Sequence, residues 1–79
     1  MISPHKYLNL DLSVLNTSGL ILKIMKELNM MKYDELLNKI QLERGEAVKE
    51  VFIPALGLLF LLGKIEYHSS MDIIELITT

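Results

Sequence analysis

The sequence predicts a mainly α-helical domain with a small β-hairpin, an α+β fold built on a three-helix core. Three observations carry that expectation. Apolar residues recur at helical spacing in two stretches, Leu12 to Asn29 and Asp34 to Arg44. A nearly unbroken apolar run, Val51 to Leu62, follows them. After Gly63, two β-prone runs flank a cluster of turn residues, the mark of a hairpin.

The elements follow in order. Pro4 and the alternation Tyr7, Leu8, Asn9, Leu10 read as an extended lead-in, after which Asp11 or Ser13 can accept the first free amides of a helix. Val14, Ser18, Ile21, Met25 and Leu28, widened by Leu20 and Ile24, form the buried stripe of that first helix, with Lys23, Lys26 and Glu27 on its wet side. Gly19 weakens the helix by about 1 kcal/mol relative to alanine. Its use is either a close backbone approach or none, a tolerated surface glycine. Met30 to Tyr33 form a very short strand. Asp34 then takes an N-cap position with Glu35 in the first turn, and a second helix of about ten residues buries Leu36, Leu37 and Ile40, ending at Arg44 and Gly45.

The third helix starts near Glu46 and ends at Leu62, where Gly63 terminates it. Pro54 removes a hydrogen bond and crowds the preceding turn, so this helix is expected to be kinked or in two pieces. Ile65 and Tyr67, then Ile73, Ile74, Leu76 and Ile77, supply the hairpin strands around His68, Ser69, Ser70, Met71 and Asp72. Helix, short strand, helix, helix, hairpin is the winged-helix order, in which two antiparallel strands pack beside three helices.

With 79 residues the chain has room for one domain, residues 1–79, burying roughly 60% of the surface its unfolded form exposes. Yet 51% of the residues are hydrophobic and the mean hydropathy is +0.34, more apolar area than so small a core absorbs. Some of it is expected to face a partner. The start, Met1, Ile2, Ser3, Pro4, His5, lacks the basic and apolar regions of a signal peptide. The absence of cysteine fits a reducing compartment, hence the cytoplasm. The run from Val51 to Leu62 is shorter than the roughly 18 apolar residues a membrane span needs, and Glu50 and Lys64 bound it.

Enzyme chemistry has no residues to rest on. His5 and His68 lie far apart in sequence, with no pair at ligand spacing and no cysteine to complete a zinc set, so both read as solvated loop residues and no metal is expected. Ser69 and Ser70 beside His68 read as turn residues, because a triad also needs an orienting carboxylate and an oxyanion hole. The four glycines are isolated, so no phosphate loop exists and no cofactor is expected. A DNA reader of this fold would present basic side chains on its third helix and hairpin. Here those elements carry Glu46, Glu50, Glu66, Asp72 and Glu75 against Lys49 and Lys64, which opposes sequence-specific binding of nucleic acid.

The informative feature is the third helix. An element apolar all round must be covered all round, and two helices and a hairpin cover only part of its circumference. The remainder is closed either by the N-terminal segment or by a partner or second copy. The interface candidates are Phe52, Leu56, Leu59 and Phe60 on the helix and Tyr67, Met71 and Ile73 on the hairpin. A DNA-binding regulator of the same fold and a small membrane-associated peptide are the rival classes.

Three blocks of sequence also resemble a known family. They are Pro4, Lys6, Leu8 with Asp11, Ser13, Val14, Leu15; Tyr33, Asp34, Glu35, Leu36, Leu37; and Phe52, Ile53, Pro54, Ala55, Leu56 through Phe60, Leu61, Leu62, Gly63 to Ile65, Glu66, Tyr67. The last is the most specific. Together they are similar to the middle components of bacterial ABC-three-component conflict systems, small winged-helix-like proteins that include those of Lamassu type. The resemblance implies a non-enzymatic adaptor that bridges an SMC-like or Rad50-like ABC ATPase and an effector, commonly a nuclease. It would hold that effector in check until foreign nucleic acid is sensed. The family supplies no catalytic residues to carry over.

Overall fold

A computed structural model describes residues 12–77. The lead-in at Pro4 and Tyr7 to Leu10, and a cap at Asp11, lie outside the described residues. The elements are α1 (Leu12–Leu28), β1 (Met30–Lys32), α2 (Tyr33–Arg44), a 3-10 turn (Glu46–Val48), α3 (Lys49–Leu61), β2 (Ile65–His68) and β3 (Ile73–Leu76). The fold is α+β, in the expected order of helix, short strand, helix, helix and hairpin. The hairpin strands extend into a three-stranded antiparallel sheet, order β1-β3-β2.

Each helix ends as its sequence dictates. Asn29 closes α1 in the left-handed region, φ 64°, its N–H donating to the Met25 carbonyl at 2.6 Å, a bond that satisfies one free C-terminal acceptor. Gly63, φ 71°, closes α3 with two bonds, Gly63 N–H to Phe60 O at 3.0 Å and Lys64 N–H to Leu59 O at 2.9 Å, the double closure that favours glycine. The start of α2 differs from expectation. Lys32, not Asp34, is the N-cap, because the Glu35 carboxylate reaches back to accept the Lys32 N–H at 3.3 Å. Asp34 and Glu35 then both sit in the first turn, where the helix dipole favours them.

The third helix is in two pieces, but the break falls at Val48 and Lys49 rather than at Pro54. Pro54 lies inside α3 on an exposed face, where water can bond the carbonyl that proline's missing N–H leaves free.

One core joins all layers. Ile21 and Met25 of α1, Leu36 and Ile40 of α2, Phe52, Ala55 and Leu59 of α3, and Met31, Ile65 and Ile74 of the sheet are buried together. Leu28, expected in the α1 stripe, is exposed; it is the last residue of the helix. Ser18 and Ala55, not Gly19, join α1 to α3. The Ser18 hydroxyl lies 2.8 Å from the Val14 carbonyl oxygen and 3.3 Å from that of Ala55, so its proton is shared across the helix crossing. Gly19 is a surface glycine, with nothing within 4 Å of where a Cβ would stand.

The sheet fixes which side chains share a face. Met31 pairs with Ile74 and Ile74 with Tyr67, while Ile65 pairs with Leu76. Strand alternation puts these on the side facing the helices and leaves Met30, Lys32, Glu66, His68, Ile73 and Glu75 on the other.

Candidate functional site

Helix α3 carries two apolar stripes. Phe52, Ala55 and Leu59 point into the core. Ile53, Leu56, Gly57 and Phe60 recur at i, i+3, i+4 and i+7, the spacing of one helix face, and that face forms a wall of a surface groove of about 580 Å³. Ile65, Tyr67 and Ile74 of the sheet, with Tyr33 and Asp72, form the rest. Glycine at position 57 keeps this side of α3 low. Tyr33 is braced from beneath by Phe52, the rings meeting edge to face at 5.2 Å and 78°, a favoured aromatic geometry.

The groove has little polar chemistry. The Tyr67 hydroxyl donates to Asp72 Oδ1 at 2.6 Å, and that bond, more than partial desolvation and the Asp72 charge, raises the Tyr67 pKa above 10.0. Tyr33 is raised in the same direction, first by burial and then by the charges of Asp34 and Asp72. Neither shift produces a group that exchanges protons near neutrality, and an apolar trough with a phenol–carboxylate pair at its edge is equipped for binding.

The candidates from the sequence separate into three groups. Leu56, Phe60 and Tyr67 meet at the groove, Phe60 at 59% exposure and Tyr67 at 48%. Phe52 and Leu59 do not reach the surface: at 1% and 2% exposure they belong to the core, because the inner stripe of α3 is the one that packs against α1. Met71 is exposed in the hairpin turn, and Ile73 lies on the opposite face of the sheet from Tyr67. Six further residues line the groove without being interface candidates of the sequence: Tyr33, Ile53, Gly57, Ile65, Asp72 and Ile74. Ile53 stands one position after Phe52 in an unbroken apolar string, and no periodicity separates the two. Leu61 and Leu62, at the end of α3, are also exposed.

His68 corrects the expectation of a solvated loop residue. It is a half-buried residue of β2, its Nε2 2.8 Å from Glu75 Oε1, with Glu66 close by. Sequence reasoning missed this grouping because it depends on hairpin register; the two-residue spacing of Glu66 and His68, which places both on one strand face, was the available signal. His5 lies outside the described residues. Among the described residues no helix is long and apolar enough to cross a membrane.

A family model described as ABC-three component (ABC-3C) system Middle Component 8 matches residues 29–77. That span runs from the end of α1 through the sheet, includes the whole groove, and exceeds half of the chain. No curated protein and no solved structure matches the chain.

Proposed function

This chain belongs to the ABC-three component (ABC-3C) system Middle Component 8 family, and we propose that it is the non-catalytic adaptor of its system. As a middle component it works with the other components. In our reading it bridges an SMC-like or Rad50-like ABC ATPase and an effector, a nuclease in a Lamassu-type arrangement, and holds that effector in check. The setting is the bacterial cytoplasm and the role is defence against phages or plasmids.

The observation that carries the adaptor reading is the groove, whose lining is contributed almost wholly by apolar side chains of α3 and the sheet. Exposed apolar area of this kind, continued by Leu61 and Leu62 at the end of α3, is costly to leave in water and is typical of an interaction site. The carboxylates on the exposed faces of α3 and the hairpin weigh against the DNA-binding alternative, since they repel phosphates.

The adaptor reading is tested by co-expressing the tagged chain with the proteins encoded beside it and measuring the recovered complex by size-exclusion chromatography with light scattering. A bridge predicts one assembly containing both an ATPase and an effector, and loss of the ATPase–effector association when this chain is omitted. An ATPase and effector that associate equally well without it would contradict bridging. Salt-sensitive binding of the isolated chain to duplex DNA would favour the regulator instead.

A further inference from the structure

The outward face of the sheet carries a cluster that the groove does not use. The register sets Glu66 of β2 directly opposite Glu75 of β3. Like charges in that relation destabilise a strand pair. Among the described residues no lysine or arginine forms an ion pair with either carboxylate. The group that does approach is His68, two residues along β2 from Glu66 and on the same face, with Nε2 at 2.8 Å from Glu75 Oε1.

One ligand atom from each of Glu66, His68 and Glu75 lies within 4.8 Å of the other two. Zinc bonds of about 2.1 Å at tetrahedral angles hold neighbouring ligand atoms about 3.4 Å apart. The 2.8 Å His68–Glu75 contact and the 4.8 Å bound on the cluster bracket that spacing, and uptake of a cation requires side-chain torsions that open the His68–Glu75 contact. We propose that Glu66, His68 and Glu75 form a binding site for a divalent transition-metal cation of the zinc class, with water completing its coordination. An imidazole with two carboxylates suits such a cation better than Mg²⁺ or Ca²⁺, which take all-oxygen sets. The cation neutralises the facing carboxylates and ties β2 to β3, stiffening the hairpin that forms one side of the groove.

The test uses the full chain, cleared of metal with a chelator and titrated with Zn²⁺, with Mg²⁺ in parallel, followed by calorimetry and by the histidine ring signals in NMR spectra. The expected result is uptake of one Zn²⁺ per chain, a shift of the His68 ring signals larger than that of His5, and no comparable response to Mg²⁺. His68→Gln and Glu75→Gln each weaken Zn²⁺ binding by at least about tenfold. Absence of uptake, unchanged affinity in His68→Gln, or a response confined to His5 overturns the proposal. The three side chains lie on the solvent side of the sheet, so circular dichroism of the variants should match the parent; Glu66→Gln, at the most exposed of the three positions, carries the same test should either of the others misfold.

Discussion

The two stripes of α3 are both apolar and have opposite surroundings. Phe52, Ala55 and Leu59 pack against α1 and the sheet, while Ile53, Leu56, Gly57 and Phe60, displaced by one residue along the same helix, line an open groove. A buried stripe and an exposed stripe therefore differ in what packs on them rather than in their apolar character. The amount of hydrophobic sequence says that surplus surface exists; only the packing says which residues provide it.

The comparison is broken most forcefully at Phe52. Phe52→Ala removes a fully buried ring that also braces Tyr33, and should cost about 3–5 kcal/mol in urea denaturation, with Leu59→Ala costing about 2–5 kcal/mol. The same deletion on the outer stripe, Phe60→Ala, should cost about 1 kcal/mol or less. Equal losses at Phe52 and Phe60 would show that both stripes are core. Ser18→Ala removes the shared hydroxyl bond at the α1–α3 crossing and should cost about 1 kcal/mol.

The glycines sharpen the same contrast. Gly19 and Gly57 both lie in helices with open space around a would-be Cβ, so alanine at either should stabilise the chain by about 0.5–1 kcal/mol. Only Gly57→Ala puts a methyl into the groove. Thermal melts should show matched gains, and complex formation should weaken for Gly57→Ala alone.

The smallest effect concerns the edge of the groove. The hydrogen bond to Asp72 favours the neutral phenol of Tyr67 and raises its folded-state pKa, so the stabilisation is present below about pH 10 and lost as the pH rises through the raised value. In an ultraviolet titration of the tyrosines, Asp72→Asn should bring the Tyr67 transition down toward 10.0. An unmoved transition would show that the contact does not set the ionisation.

The order of elements and most of their ends were legible in the sequence because helix ends announce themselves locally: Asn29, Gly45 and Gly63 all adopt the positive φ that few other residues tolerate. The start of α2 misled, because Asp34 looks like a cap while the Glu35 side chain fixes the cap one turn back at Lys32. The site was half legible. Leu56, Phe60 and Tyr67 could be picked out as exposed apolar candidates, but Phe52 and Leu59 could not be told from them. In a helix with no polar face, periodicity has nothing to mark. The cluster of Glu66, His68 and Glu75 depends on cross-strand register, which a five-residue stretch of turn and strand residues leaves undetermined.

The central claim is that the outer stripe of α3 docks the other components of the system. Its most direct test is Phe60→Asp, a groove residue exposed enough to accept a charge without disturbing the core. The variant is co-expressed with the neighbouring components, its fold is checked by circular dichroism, and the recovered complex is quantified by size-exclusion chromatography. The account predicts a folded variant that elutes apart from its partners, and recovery of the full complex by that folded variant would contradict it.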